Sequence, residues 1–180
     1  TDSQKWDAFV QSANNGTLFH YRSFLSYHID REFEDHSLIF EKKGRVIAVF
    51  PAAEIKDESE TVLHSHPGAT FGGFIYDQLS FEDANLVVEL LSEYCKSEKF
   101  TSIFLVQTPQ LYNTRKDETI EYVLYWNGFE TEETYFYSFI DLTCEKEAIN
   151  LVSSRKKRYL KKLPVDGNIR FKWNGDFDDF

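Results

Sequence analysis

The segment LHSHPGATFGGFIY, residues 63–76, concentrates the residue types that could do chemistry, with two histidines and three glycines between apolar runs. On a strand, His64 and His66 point to the same face, and a pair with this spacing can ligate zinc. A zinc site needs further ligands, however, and no cysteine or histidine pair elsewhere has metal-binding spacing. The acidic residues within 57–60 are typical of a solvated loop. We therefore predict no metal site, and we expect His66 to form hydrogen bonds within a tight loop.

Two other chemistries can be compared with the same segment. Ser65, His66 and Asp77 could be combined into a catalytic triad, but the G-x-S-x-G pattern of a nucleophile elbow is missing. The glycines suggest a phosphate loop, but the Walker spacing and the dinucleotide fingerprint are both absent. Either the glycines provide positive φ angles and close backbone approach, or they contact a ligand. The glycines concerned are Gly68, Gly72 and Gly73.

A basic segment, LVSSRKKRYLKKL at 151–163, holds six of the 20 Lys and Arg residues and no acidic residue, leaving 14 basic against 30 acidic residues elsewhere. The overall net charge of −10 argues against general affinity for DNA. Three roles are open for the segment: a solvated helix face above core residues, a contact for an anionic substrate, or a peripheral membrane contact. The first two are compatible, and we favour them together.

The elements that must position these residues are predicted from apolar periodicity and turn residues. Helical spacing predicts helices at 6–13, 81–96 and 117–126, and Ser80 is a good N-cap for the second of these. Several antiparallel strands followed by alternating helices and strands predict a mixed α+β domain. Weaker helical patterns occupy 21–28 and 145–163, and strands are predicted at 37–42, 45–53, 61–65, 69–76, 101–106 and 134–142.

Length and composition indicate one globular domain. The chain has 180 residues, of which 42% are hydrophobic and 17% aromatic, so it can bury a core and is not intrinsically disordered. No apolar run is long enough to span a membrane, and residues 1–10 lack the pattern of a signal peptide. Two cysteines, Cys95 and Cys144, fit a reducing compartment, so we predict a cytoplasmic protein with Cys95 in its core.

Three fragments, in this order and at this spacing, resemble FemAB-like proteins of the GNAT acyltransferase superfamily. They are SHPGATFGGF (65–74), TPQLYNTRKDETIEYVLYWNGF (108–129) and SSRKKRYLKKL (153–163). The resemblance extends from Trp6 to about Lys172. It implies an α/β (α+β) fold, with a GNAT-like, mixed, mostly antiparallel central sheet flanked by helices on both faces.

The same resemblance implies an activity and a domain organisation. The best-known members of the family transfer amino acids from aminoacyl-tRNA to the peptide of a cell-wall precursor, and relatives from polysaccharide gene clusters are taken to be acetyl- or acyltransferases. By similarity, residues 1–165 form a first GNAT-like domain, and residues 166–180 are either the start of a second domain in the same chain or a truncated tail. We therefore expect an acyl- or aminoacyltransferase that modifies an amine of a bacterial cell-envelope precursor or sugar.

Site residues are also implied by the resemblance. Ser65–Phe74 would line the acceptor cleft, Tyr112 would stand beside it, and two arginines would mark the passage into the second domain. The motifs assign no general base for the amine proton, and His66 is suggested by its titration range alone. The residues expected to bind substrate are Ser65, His66, Gly68, Thr70, Phe71, Gly72, Gly73, Tyr112, Arg155 and Arg158.

One departure from the superfamily concerns the donor. The usual acetyl-CoA loop, Q/R-x-x-G-x-G/A before the central helix, is replaced here by FGGFIYDQLSFED (71–83). We therefore expect no cofactor in this domain, with acetyl-CoA or aminoacyl-tRNA as the acyl donor to the full-length protein. Two alternatives remain open: a non-catalytic GNAT-like module that binds a ligand or partner, and a stand-alone acetyl-CoA-dependent N-acetyltransferase.

Overall fold

The computed structural model describes residues 2–27, 33–136, 138, 150 and 152–162. Within these ranges, helices and short strands alternate along the chain, with two single 3-10 turns at Leu18–His20 and Gln110–Tyr112. The helices are α1 (Asp2–Ser12), α2 (Arg22–Leu25), α3 (Phe81–Ser97), α4 (Thr119–Trp126) and α5 (Ser154–Lys162). The strands are β1 (Glu34–Asp35), β2 (Leu38–Lys42), β3 (Arg45–Phe50), β4 (Ala53–Lys56), β5 (Thr61–Ser65), β6 (Ile75–Tyr76) and β7 (Ser102–Leu105).

The strands form two small sheets, in the orders β1-β4-β5-β7 and β2-β3-β6. Every pair is antiparallel except β5 with β7, so the predicted mixed, mostly antiparallel α+β class is confirmed. The single strand predicted at 45–53 is divided between the sheets, as β3 and β4. Pro51 interrupts it because proline has no N–H for a ladder, and Ala52 N–H donates to Ser37 Oγ (3.2 Å) instead.

Helices cover both faces of the β2-β3-β6 sheet, as predicted. Successive residues of β3 point to opposite faces, so Val49 packs with the core residues of α1 and α2, whereas Ala48 and Phe50 pack with those of α3 and α4. Cys95 of α3 is buried in the second of these clusters, as predicted, and burial raises the pKa of its thiol to about 11. The two clusters together form the core.

Two strand predictions were inaccurate in detail. The strand predicted at 69–76 is confined to β6, and the residues before Ile75 form a loop because several of their hydrogen bonds go to side chains and to the segment after β7. The strand predicted at 101–106 is confined to β7, where Ser102 is exposed and the other residues are half-buried. Most of the strand predicted at 134–142 lies outside the described residues, and the described positions 134–136 form no strand.

The chain divides into two compact units, Thr1–Thr131 and Glu132–Phe180. Both sheets and helices α1 to α4 belong to the first unit, and α5 belongs to the second. The domain boundary predicted near residue 165 falls outside the described residues and stays a prediction. Among the described helices, none has the length and apolar character needed to cross a membrane.

The start of α3 gives a first testable prediction. Ser80 Oγ accepts a hydrogen bond from Asp83 N–H (3.1 Å), so replacing Ser80 by alanine should lower the free energy of unfolding by about 1 kcal/mol. Ser97→Ala is the matched control, because its hydroxyl only donates to the Tyr94 carbonyl at the far end of the same helix. Urea unfolding monitored by circular dichroism measures both. Equal losses in the two variants would contradict the capping role of Ser80.

Candidate functional site

The candidate site lies where β5 parts from β7. The two strands pair in parallel as far as Ser65 and Leu105, and the chain then leaves as a loop and returns at Gly72, which bridges to Gln107. Gly72 N–H donates to the Val106 carbonyl (2.8 Å). We call residues 66–73 the glycine loop. The glycine loop therefore interrupts the ladder between the two strands, and Gly72 resumes the pairing beyond it.

Ser65 holds the point of separation. Its side-chain Oγ accepts a hydrogen bond from Val106 N–H (2.9 Å), and the residue is 1% exposed. The hydroxyl therefore takes the place of a strand carbonyl and is buried in a structural role. Asp77, the third residue of the triad considered from sequence, pairs with Arg115 (2.8 Å) instead. The described contacts thus assemble no Ser65–His66–Asp77 triad.

The glycines of the loop meet two backbone requirements. Gly68 and Gly73 have positive φ angles of 90° and 73°, which favour glycine. Gly72 lies so close to the preceding strand that an added Cβ would be 2.6 Å from the Ser65 carbonyl oxygen. Of the two interpretations left open by the sequence, the conformational one therefore accounts for all three glycines, and contact with a ligand stays a prediction.

His66 follows Ser65 directly and is 4% exposed. Its Nδ1 lies 2.8 Å from the Pro67 carbonyl oxygen, which can only accept, so Nδ1 carries the proton and Nε2 has a free lone pair in the neutral ring. Burial lowers the pKa of His66, and the hydrogen bond to Pro67 opposes this only in part. At neutral pH the ring is therefore uncharged, with one defined tautomer. The hydrogen bond within a tight loop that the sequence predicted is present.

A charged pair acts on His66 from nearby elements. Arg22 of α2 forms an ion pair with Asp35 of β1 and donates to Ser37 Oγ (2.9 Å). Burial raises the pKa of Asp35, but the hydrogen bonds from Arg22 and Ser37 and the charge of Arg22 outweigh it, so the net shift is downward. Asp35 raises the pKa of His66, whereas Arg22 lowers it. Sequence reasoning missed this pair because its residues are 13 positions apart and show no motif.

Two predicted site residues, Phe71 of the glycine loop and Tyr112, form an aromatic wall. The ring centroids of Phe71 and Tyr112 are 5.3 Å apart. Phe71 is buried against Phe19 (4.9 Å), whereas Tyr112 is 48% exposed on its 3-10 turn. Thr70 and Gly68 are exposed on the same loop. The structure thus brings Tyr112 to the glycine loop, and the role of these residues in lining an acceptor cleft stays a prediction.

The two predicted arginines belong to the other compact unit. Arg155 and Arg158 lie on α5, and both are exposed. The exposure of both arginines agrees with the first role considered for this segment, a solvated helix face. Their predicted position at a passage between domains stays a prediction.

His20 is a residue that sequence reasoning missed. Its Nδ1 accepts from Thr17 N–H (3.1 Å), so the proton is on Nε2, which lies 3.4 Å from Thr108 Oγ1. Thr108 in turn donates to the Gly72 carbonyl (3.3 Å). Burial lowers the pKa of His20 to about 4, so the ring stays neutral. These hydrogen bonds link His20 to Gly72 of the glycine loop through Thr108. A lone histidine carries no sequence signal that would predict such a position.

Glu121 of α4 is a second residue without a sequence signal. Its Oε1 accepts from Gln110 Nε2 (2.8 Å), and its Oε2 is buried with no hydrogen-bond partner in the described part of the chain. Burial raises the pKa of this carboxyl. Gln110 belongs to the same 3-10 turn as Tyr112. The Glu121 carboxyl, with its raised pKa, is therefore hydrogen-bonded to the turn that carries Tyr112.

Similarity to known proteins comes from solved structures. No protein-family model matches the sequence, and a search of characterised proteins gives no match. A mutant of TTHA1254 from Thermus thermophilus is 13% identical, with a TM-score of 0.48 over 79% of this chain and 95% of its own. Wild-type TTHA1254 is 14% identical, with a TM-score of 0.40 over 61% of this chain and 73% of its own. FemX is 23% identical, with a TM-score of 0.44 over 54% of this chain and 24% of its own. None of these TM-scores reaches 0.5, so the likenesses add no argument about activity.

Proposed function

We propose that this protein transfers an acyl or aminoacyl group to an amine of a bacterial cell-envelope precursor or an amine-bearing sugar. The observation that carries the proposal is the departure of the chain from β5 at Ser65, where His66 and the glycine loop follow and Tyr112 packs against Phe71 of that loop. Two of the three fragments that resemble FemAB-like proteins, 65–74 and 108–129, contain these residues.

In this proposal the chain's own residues orient the acceptor and receive a proton. Tyr112, half exposed beside Phe71, offers an aromatic surface for a sugar ring or an apolar part of a peptide. The acceptor amine attacks the acyl carbonyl, and the proton of the amine passes to Nε2 of His66. The bond from that carbonyl to the sulfur of acetyl-CoA or to the ribose oxygen of aminoacyl-tRNA breaks, and this leaving atom takes up the proton that His66 then releases. The lowered pKa of His66 keeps this nitrogen unprotonated and ready to accept at neutral pH.

The donor is assigned to another part of the full-length protein. Three backbone N–H groups within the glycine loop and next to it are already used and cannot hold a pyrophosphate or an oxyanion, and the acetyl-CoA loop of the superfamily is missing from the sequence. Ala69 N–H donates to the His66 carbonyl (3.1 Å), Gly72 N–H to Val106, and Phe74 N–H to Gln107 Oε1 (3.3 Å). We therefore propose that acetyl-CoA or aminoacyl-tRNA is held by a second domain.

The test is transfer by the full-length protein. Acetyl-CoA or aminoacyl-tRNA is supplied with amino sugars and lysine-containing cell-wall peptides, and the mass of the acceptor is followed. We expect His66→Gln to lower kcat by about a hundredfold or more, because it removes the proton acceptor. Tyr112→Ala should instead raise KM about tenfold with little change in kcat. Tyr125→Ala is the matched control, because this tyrosine of α4 is 76% exposed and should have no effect.

The same loop geometry favours one alternative. Because the amide groups named above are already hydrogen-bonded, the fold could serve as a non-catalytic module that only binds a ligand. Saturable binding of an acceptor that depends on Tyr112, without transfer from either donor, would establish that alternative. Transfer that is unchanged by His66→Gln would show that another group accepts the proton, and transfer unchanged by Tyr112→Ala would remove the acceptor site proposed here.

A further inference from the structure

A second group of ligand-type side chains lies on β1 and β4, away from the glycine loop. In the antiparallel β1–β4 pair, Glu34 stands directly opposite Glu54. Like charges in this position destabilise a strand pair, because opposed side chains on one face lie close together. His36 follows two residues after Glu34, where its backbone N–H still bonds to the Ala52 carbonyl (2.9 Å), so it continues along the same face. The strand register therefore brings two carboxylates and one imidazole together.

The three side chains converge closely enough to share one ion. One ligand atom from each of Glu34, His36 and Glu54 lies within 4.8 Å of the other two. His36 Nε2 is 3.9 Å from the nearest Glu34 oxygen, which is too long for a hydrogen bond. This nitrogen is inaccessible to solvent and has no hydrogen-bond partner among the described residues, although the side chain as a whole is 13% exposed. A buried, unpartnered nitrogen facing two carboxylates is an incomplete arrangement without a cation.

We propose that Glu34, His36 and Glu54 bind a divalent transition-metal ion of the zinc class. An imidazole with two carboxylates suits Zn²⁺, Co²⁺ or Mn²⁺ better than Mg²⁺ or Ca²⁺, which prefer oxygen ligands alone. The other ring nitrogen, Nδ1, lies 2.6 Å from the Tyr94 hydroxyl. When Nδ1 carries the ring hydrogen and donates it in a hydrogen bond to this hydroxyl, the lone pair of Nε2 is left for the ion. Such a partner at the second nitrogen is the usual way in which a ligating histidine is oriented.

Lys56 provides an internal competitor. Its Nζ is 3.8 Å from a Glu54 oxygen, and its side chain is 68% exposed, so the ammonium forms a loose ion pair with Glu54 and can leave for solvent. A bound metal ion would replace this loose pair with shorter bonds. Removing the lysine charge should therefore strengthen metal binding without changing a ligand. Replacing one of the ligands should weaken it.

A bound ion would hold the edge strand β1 onto its sheet. β1 has two residues and, among the strands in the described ranges, pairs only with β4, so its hold on the sheet is slight. Asp35 lies between Glu34 and His36, on the opposite face, where it pairs with Arg22. An ion bound by its two neighbours would fix the strand that carries Asp35. The proposal stands on these contacts and does not depend on acyl transfer.

The experiment is a titration of the metal-stripped full chain with Co²⁺, followed by its visible absorption, and with Zn²⁺, followed by calorimetry. We expect one ion per chain and a rise in the melting temperature. Glu34→Gln changes a side chain that is 72% exposed, so it should keep the fold. It should weaken binding about tenfold or more, because even the loss of an outer-shell partner typically costs about ten- to a hundredfold in metal affinity. Glu54→Gln should weaken it similarly. Lys56→Gln should tighten binding about two- to fivefold.

Glu58→Gln is the matched control, because Glu58 is an exposed acid in the neighbouring loop and its change removes the same charge. It should leave the affinity for Co²⁺ unchanged. The proposal is wrong if the wild-type chain binds no Co²⁺ or Zn²⁺ at about 100 µM, the weak end of specific sites. It is equally wrong if Glu34→Gln and Glu58→Gln weaken binding alike, because binding would then reflect general negative charge.

Discussion

Replacing Gly72 by alanine is expected to lower the free energy of unfolding of the first compact unit by about 3 kcal/mol or more, and replacement by valine to prevent its folding. The reason is a backbone contact. A Cβ at this position would lie 2.6 Å from the Ser65 carbonyl oxygen and 2.9 Å from its carbon, and neither atom can move without disturbing the β5–β7 pairing. Chemical denaturation of Gly72→Ala measures the loss directly.

Gly44→Ala is the control that separates steric clash from backbone conformation. Gly44 has a positive φ of 75° but has open space around its Cβ position, so alanine there should cost only about 1 kcal/mol. The backbone at Gly72 is not left-handed, so its larger loss would come from the clash alone. If Gly72→Ala were no more destabilising than Gly44→Ala, the close approach between the glycine loop and β5 would be wrong.

Elements with strong local signals could be predicted from sequence. α3 has an apolar stripe over four turns and a capping serine, so it was placed to within a residue or two. The strands predicted at 37–42 and 45–53 leave only Lys43 and Gly44 between them, and both residues adopt positive φ angles in the hairpin that joins β2 and β3. These features depend on neighbours in sequence, and local chemistry is enough to define them.

The site depended on contacts between distant residues, which local patterns do not encode. The resemblance led to His66, Phe71 and Tyr112, but the hydrogen bond from Val106 to Ser65 Oγ spans 41 positions. The candidate metal ligands show the same effect. Spacing drew attention to His64 and His66, whereas the group that converges, with His36 at its centre, is formed by the register of β1 on β4.

His20, whose ring is fully buried in the folded protein, should make a large contribution to the pH dependence of stability. Burial lowers its pKa from the ordinary 6.5 to about 4. Between these values the unfolded chain binds a proton that the folded protein does not, so stability falls as the pH is lowered from about 6.5 towards 4. The gap between the two pKa values corresponds to about 3 kcal/mol, fully lost only below the folded pKa.

His20→Asn removes the titrating group and keeps an acceptor for Thr17 N–H, because the asparagine side-chain oxygen can take the place of Nδ1. At neutral pH the variant should be less stable, since it loses the link to Thr108 and leaves a small void. Its stability should fall less steeply on acidification. From about pH 7 to about pH 4, the wild-type chain should lose about 3 kcal/mol more than the variant.

The difference between the two curves isolates His20, because every other titrating group contributes to both. His64→Asn is the control: burial also lowers the pKa of His64, but this residue is only half-buried, so its effect on the slope should be smaller. Urea unfolding at a series of pH values supplies the data. Parallel curves for wild type and His20→Asn would mean that His20 is already accessible to protons in the folded state, and the hydrogen-bonded support of Gly72 through Thr108 would then have to be abandoned.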